Sequence, residues 1–235
     1  MELITTEVTT PLSGKIFKIK EGDGYTERLL LKKGKRLHQV IPDYLASLLV
    51  EMDGNPCKTS DVLQFLVPDY EFLLIEAYKN SFGDDLTFVN VCSNCGQMNN
   101  HTVNLSELPM IELSENCTGG TDPIIDLVLP RTKLRARVGF LTVQNDMILN
   151  EQMSGQGSVD LNQGDYLSLR MLEGCDPVSY EDVVKLPLMD HKAIRKARRE
   201  LIAGYDPLVS LVCESCGNYD VTNILGLRDF LFPSG

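Results

Sequence analysis

The chain has 235 residues, 43% apolar and 23% charged, with a formal net charge of −11. That supports a real core in one large or two small domains and excludes collagenous, wholly disordered and disulfide-dense classes. The acidic balance also weighs against DNA, RNA and anionic membranes, because phosphate binding rests on Lys and Arg neutralising charge.

The opening residues, Met1-Glu2-Leu3-Ile4-Thr5-Thr6, carry an acid and no apolar run of the signal-peptide kind. No stretch approaches the ~20 apolar residues of a membrane helix. The expected setting is a reducing cytoplasm, where seven cysteines do not make a disulfide framework. Metal binding is the first expectation for those paired in sequence.

Pro11 to Ile19 alternates apolar and polar residues, the period of a half-buried strand. Pro42 opens a predicted helix from Tyr44 to Met52, and Ser60-Asp61 caps a short one to Phe65. Pro68-Asp69 opens a third through Tyr78, ended by Gly83. A strand then enters Cys92-x-x-Cys95-Gly96. The turn formers Gly119, Gly120, Asp122 and Pro123 mark a joint. The predicted division is an N-terminal lobe over 1–116, a linker over 117–123 and a C-terminal lobe over 124–235. In the second lobe Leu129 to Val138 alternates again. Predicted helices run from Thr142 to Met153, Tyr166 to Leu172 and Asp190 to Ala203, before Cys213-x-x-Cys216-Gly217. Ser154 to Gly164 is polar and holds three glycines; it reads as a mobile or partner-bound loop, or a tolerated surface loop.

The segment from Gly83 to Gly96 is echoed 121 residues later by Gly204 to Gly217, with identical glycine-to-CxxCG spacing. The predicted fold class is therefore α+β: two similar lobes of short strands plus helices, joined by a split four-cysteine zinc ribbon.

Cys92, Cys95, Cys213 and Cys216 are the predicted metal ligands. Structural Zn²⁺ takes four ligands in a tetrahedron, and a CxxC turn places two sulfurs side by side. Four thiolates leave no open position for a catalytic water. A redox pair needs its CxxC at a helix N-terminus, whereas polar, strand-like residues follow both pairs. Cys57, Cys117 and Cys175 are isolated, and His38, His101 and His191 do not cluster. Two basic groups, Lys32, Lys33, Lys35 and Arg36, then Lys192, Arg195, Lys196, Arg198 and Arg199, read as solvated or salt-bridged faces, or as docking patches for an acidic partner. The phosphate-loop, HExxH, GxSxG, dinucleotide and deaminase signatures are absent, so no catalytic residue or organic cofactor site is assigned and the expectation is a non-enzyme.

In order, these features resemble the T4-type bacteriophage baseplate proteins. The resemblance rests on the strand opening from Pro11 to Lys18, the helix from Asp69 to Gly83 and the first CxxCG. It continues in Glu173-Gly174-Cys175-Asp176-Pro177-Val178-Ser179-Tyr180-Glu181-Asp182-Val183-Val184-Lys185-Leu186-Pro187, the basic helix from Ile194 to Arg199, the second CxxCG and the ending Asp229-Phe230-Leu231-Phe232-Pro233. It implies a structural or assembly role in a contractile tail baseplate, hub or wedge, either permanent or transient. It further implies other phage tail proteins as partners in a hetero-oligomeric assembly, a place in the virion and synthesis in the host cytoplasm. Phe230, Leu231 and Phe232 are candidates for docking in a neighbour's groove, or for closing the chain's own core. The competing expectation is a zinc-ribbon regulator that binds nucleic acid or polymerase, which calls for a continuous basic face.

Overall fold

The computed structural model describes residues 5–31, 36–154 and 160–231. In the first repeat, β1 (Thr5–Thr9) and β2 (Ile16–Lys20) form an antiparallel hairpin, and alternation turns Phe17 and Ile19 into the core. The chain continues through α1 (Gly24–Leu30), α2 (Leu37–Leu48), β3 (Leu49–Met52), β4 (Asn55–Pro56) and α3 (Thr59–Val62). α4 (Val67–Phe82) has Pro68 in its first turn, where no intrahelical N–H is needed, and stops at Gly83, whose φ of 88° only glycine adopts freely. β5 (Asp85–Val91) and β6 (Met98–Asn104) form a second hairpin, closed by a 3₁₀ turn at Leu105–Glu107 and a short β7 (Met110–Ile111).

The second repeat follows the same course. β8 (Ile124–Val128) and β9 (Arg135–Gly139) pair as a hairpin, then come α5 (Val143–Ser154), α6 (Leu161–Ser168), β10 (Leu169–Leu172), α7 (Tyr180–Val184), α8 (Leu188–Glu200) and β11 (Gly204–Tyr205). β12 (Leu208–Val212) and β13 (Tyr219–Asn223) make the last hairpin, before a 3₁₀ turn at Ile224–Gly226 and α9 (Arg228–Leu231). No helix among the described residues is long and apolar enough to cross a membrane. The fold is α+β, as the sequence predicts.

The repeat extends to single hydrogen bonds. In the first hairpin turn the Leu12 and Ser13 N–H groups donate to the buried Asp69 carboxylate at 2.9 and 3.0 Å. In the second, the Arg131 and Thr132 N–H groups donate to the buried Asp190 at 2.7 and 3.0 Å. Both carboxylates sit in the first turn of the helix that leads to a knuckle, so each fixes a hairpin to that helix. Gly14 and Lys133 occupy the same left-handed turn position, with φ of 65° and 64°.

Two apolar cores form, and they exchange residues across the sequence. Leu12 and Leu66 of the first repeat lie in the second core, while Val143, Leu211, Ile224, Phe230 and Leu231 lie in the first. β7 pairs with β11, Ile111 opposite Gly204. Residues 117–123 fold back on themselves, with reciprocal backbone bonds between Thr118 and Ile124 at 2.9 and 2.7 Å. Phe230 stacks on Tyr78 with ring centroids 5.1 Å apart, so Phe230 and Leu231 are buried inside the chain rather than presented to a neighbour. Phe232 lies outside the described residues.

Two predicted helices shift, at the same place in each repeat. Residues 49–52 and 169–172 form β3 and β10, and the helices before them start earlier than predicted, α2 with Pro42 in its interior. Their apolar runs suit a helix or a buried strand equally; pairing with β2 and β9 decides for the strand. Of the predicted loop from Ser154 to Gly164, Ser154 and residues 161–164 are helical, and residues 155–159 lie outside the described residues.

Asp190→Asn puts an amide NH₂ against a backbone N–H in a buried turn. It is expected to cost roughly 2–4 kcal/mol of stability by urea unfolding, with Asp69→Asn costing a similar amount.

Candidate metal centre

Each knuckle caps a hairpin whose register brings the strand ends together, Val91 opposite Met98 and Val212 opposite Tyr219. The Cys92 N–H donates to Gln97 O at 2.9 Å and the Gly96 N–H to Cys92 O at 3.0 Å. The same bonds recur from Cys213 to Asn218 O at 2.9 Å and from Gly217 to Cys213 O at 2.8 Å. Gly96 and Gly217, with φ of 72° and 69°, take the left-handed conformation that closes the turn.

The two knuckles meet face to face. Cys92 Sγ lies 3.7 Å from Cys216 Sγ, Cys95 Sγ lies 3.7 Å from Cys213 Sγ, and all four sulfurs fall within 4.8 Å of one another. A tetrahedron of thiolates with metal–sulfur bonds near ~2.3 Å puts its sulfurs about 3.8 Å apart. The donor set and its spacing therefore fit a metal ion. Cys92 and Cys213 are buried; Cys95 and Cys216 face solvent.

Four thiols this close do not ionise independently. The Gln97 amide favours the Cys95 thiolate, but contact with Cys216 and the other sulfurs outweighs it and pushes the pKa up to about 12. Burial disfavours the Cys213 thiolate, yet amide donors led by Cys216 and Ser215 outweigh it and bring the pKa down to about 6. A bound cation removes this competition by favouring the thiolate at every position.

Asn99 and Asp220, equivalent residues of the two hairpins, tie the knuckles across the repeat boundary. The Asn99 side chain donates to Cys213 Sγ at 3.5 Å and accepts from the Glu214 N–H at 3.1 Å. Asp220 accepts from the Ser93 N–H at 3.2 Å and from the Ser93 hydroxyl, which holds its carboxyl below the ordinary range. Sequence reasoning missed both. Their signal was available: polar residues at matching positions after each CxxCG. His101 lies across from Phe88 in the β5–β6 pair, away from the sulfurs. Cys57, Cys117 and Cys175 stay outside the cluster.

The basic helix α8 turns part of its charge inward. Fully buried Asp165 accepts from Arg195 Nε at 2.9 Å and from Arg198 at 3.4 Å, and contacts His191 Nδ1 at 2.8 Å. Its counterparts in the first repeat are apolar or aromatic: Leu45 for Asp165, Tyr70 for His191 and Leu74 for Arg195. Lys196 pairs with Glu200 at 3.7 Å. The earlier group Lys32, Lys33 and Lys35 lies outside the described residues.

A cleft of about 570 Å³ between the repeats is lined by Glu71, Asp146, Phe140 and Leu201. Burial and the charge of Asp146 push the Glu71 carboxyl up to about 7. A carboxyl whose folded pKa is raised favours folding at low pH and loses that contribution as pH rises through the folded value. Glu71→Gln should therefore be near neutral at pH 4 and stabilise by roughly 2–3 kcal/mol at pH 8.5, read by urea unfolding at both values.

A family model described as T4 bacteriophage base plate protein matches residues 1–150, from the opening strand through the first knuckle and most of α5. No curated protein and no solved structure matches the chain. Residues 151–235 lie outside the matched span, and the internal repeat relates them to the part within it. With well over half its length matched, the chain belongs to the T4 bacteriophage base plate protein family.

Proposed function

We propose that the chain is a non-catalytic structural or assembly component of a contractile phage tail baseplate, in the hub or wedge, with a structural Zn²⁺ on Cys92, Cys95, Cys213 and Cys216. The family match over residues 1–150 carries the baseplate role. The zinc reading is supported by four cysteine sulfurs within 4.8 Å, a ligand type and number that structural zinc favours. Binding free energy in such a site is folding free energy, so the ion holds the two repeats in one relative orientation. A rigid body with two similar lobes can present different faces to different tail proteins.

The zinc-ribbon regulator that binds nucleic acid is less well supported. Its strongest basic element is α8, and there Arg195 and Arg198 face a buried carboxylate while Lys196 pairs with Glu200. Few cations remain on that helix to neutralise phosphates.

Quantitative mass spectrometry of purified tails and of assembly intermediates tests the role. The chain is expected in one or both at a fixed copy number, and Cys213→Ser should reduce its incorporation at least tenfold. Absence from both, or normal incorporation of Cys213→Ser, would contradict the reading.

A further inference from the structure

The two repeats differ at one edge. In the first, residues 63–67, which link α3 to α4, are covered by an extended segment of the second. The Val67 N–H donates to Leu141 O at 3.0 Å, Val143 N–H to Phe65 O at 2.9 Å and Gln144 N–H to Leu63 O at 2.9 Å. Leu66 and Thr142 form an antiparallel bridge between these bonds.

The counterpart in the second repeat is residues 184–188, between α7 and α8. The equivalence is close: Val62 and Val183 are fully buried, Phe65 and Leu186 are buried, and in each a carboxylate in the first helical turn accepts from the capping backbone N–H, Asp61 from Lys58 at 2.9 Å and Asp182 from Ser179 at 3.1 Å. Here no segment among the described residues lies alongside. Val184 O, Leu186 O and the Leu188 N–H, equivalent to the three groups used in the first repeat, have no backbone partner among the described residues. The side chains follow the same difference. Val184 is 40% exposed, Leu188 83% and Met189 56%, whereas their counterparts Leu63 and Val67 are half-buried and Pro68 is buried.

We propose that residues 184–188 are a docking edge for an extended segment of another baseplate protein, bound antiparallel as residues 141–144 are bound within this chain. The internal pair sets the chemistry of the partner. It supplies two N–H donors and one C=O acceptor along the edge, so proline is excluded at the two donor positions. Its pattern resembles Leu141-Thr142-Val143-Gln144, apolar residues alternating with small or polar ones, with apolar side chains covering Leu188 and Met189. A second copy of this chain is not the occupant, because its own 141–144 segment is already engaged on residues 63–67. The nature of the partner rests on the baseplate role proposed above.

The test is a photo-reactive residue placed at position 184 of the full-length chain during phage assembly, with crosslinks mapped by mass spectrometry. The expected result is a crosslink to one segment of a different tail protein. Its yield should fall at least tenfold in Leu188→Pro, which removes the donor at a first helical position where proline is tolerated. Met189→Glu, which leaves the backbone intact, should reduce it as well. A crosslink only to a second copy, or a yield unchanged in both variants, overturns the inference. A chain that enters tail assemblies without any crosslink overturns this inference alone; a chain that never enters them overturns the baseplate role and this inference with it.

Discussion

The four cysteine sulfurs form one cluster only when both repeats are present and docked. Cys92 and Cys95 follow β5, the strand after α4, and Cys213 and Cys216 follow β12, the second strand after α8. Neither knuckle holds more than half of a tetrahedral ligand set. A metal ion bound by sulfurs split across so much chain would report on the relative placement of the two lobes rather than on one local loop. The bonds from the Glu214 N–H to Asn99 and from the Ser93 N–H to Asp220 impose the same orientation from the protein side.

The apolar cores act in the same direction. Because Phe230 and Leu231 pack in the first core and Leu12 and Leu66 in the second, neither core is complete without residues from the other repeat. The repeats have also diverged. Where the first has buried Leu45 and Leu74 and partly buried Tyr70 around α2 and α4, the second places Asp165 against His191, Arg195 and Arg198. A buried ionic group of this kind contributes little net stability over an apolar replacement, while loss of one partner leaves a charge stranded. The two lobes thus share a backbone plan and differ in the chemistry they bury.

Much of this plan was legible in the residues. The two CxxCG units and their common spacing predicted both the repeat and the gathering of Cys92, Cys95, Cys213 and Cys216, a residue type and spacing that could hold a metal ion. Gly83 marked the end of α4 for an equally local reason, its positive φ, whereas α8 ends at Glu200, before Gly204. The strands at 49–52 and 169–172 were not legible, since short apolar runs suit a helix or a buried strand and the choice is made by β2 and β9, distant in sequence. The inward turn of Arg195 and Arg198 was hidden for the same reason: it depends on Asp165 arriving from another helix. The burial of Phe230 depends on Tyr78, far away in the chain, and composition at the C-terminal end is equally consistent with a docking handle.

The central claim is a single tetrathiolate ion held jointly by both repeats. X-ray absorption at the zinc edge of the purified chain, combined with elemental analysis, measures it directly. The account predicts one zinc per chain with a first shell of four sulfurs near ~2.3 Å. A shell containing nitrogen or oxygen ligands, or protein that carries no metal while remaining folded with its knuckles apart, would contradict it.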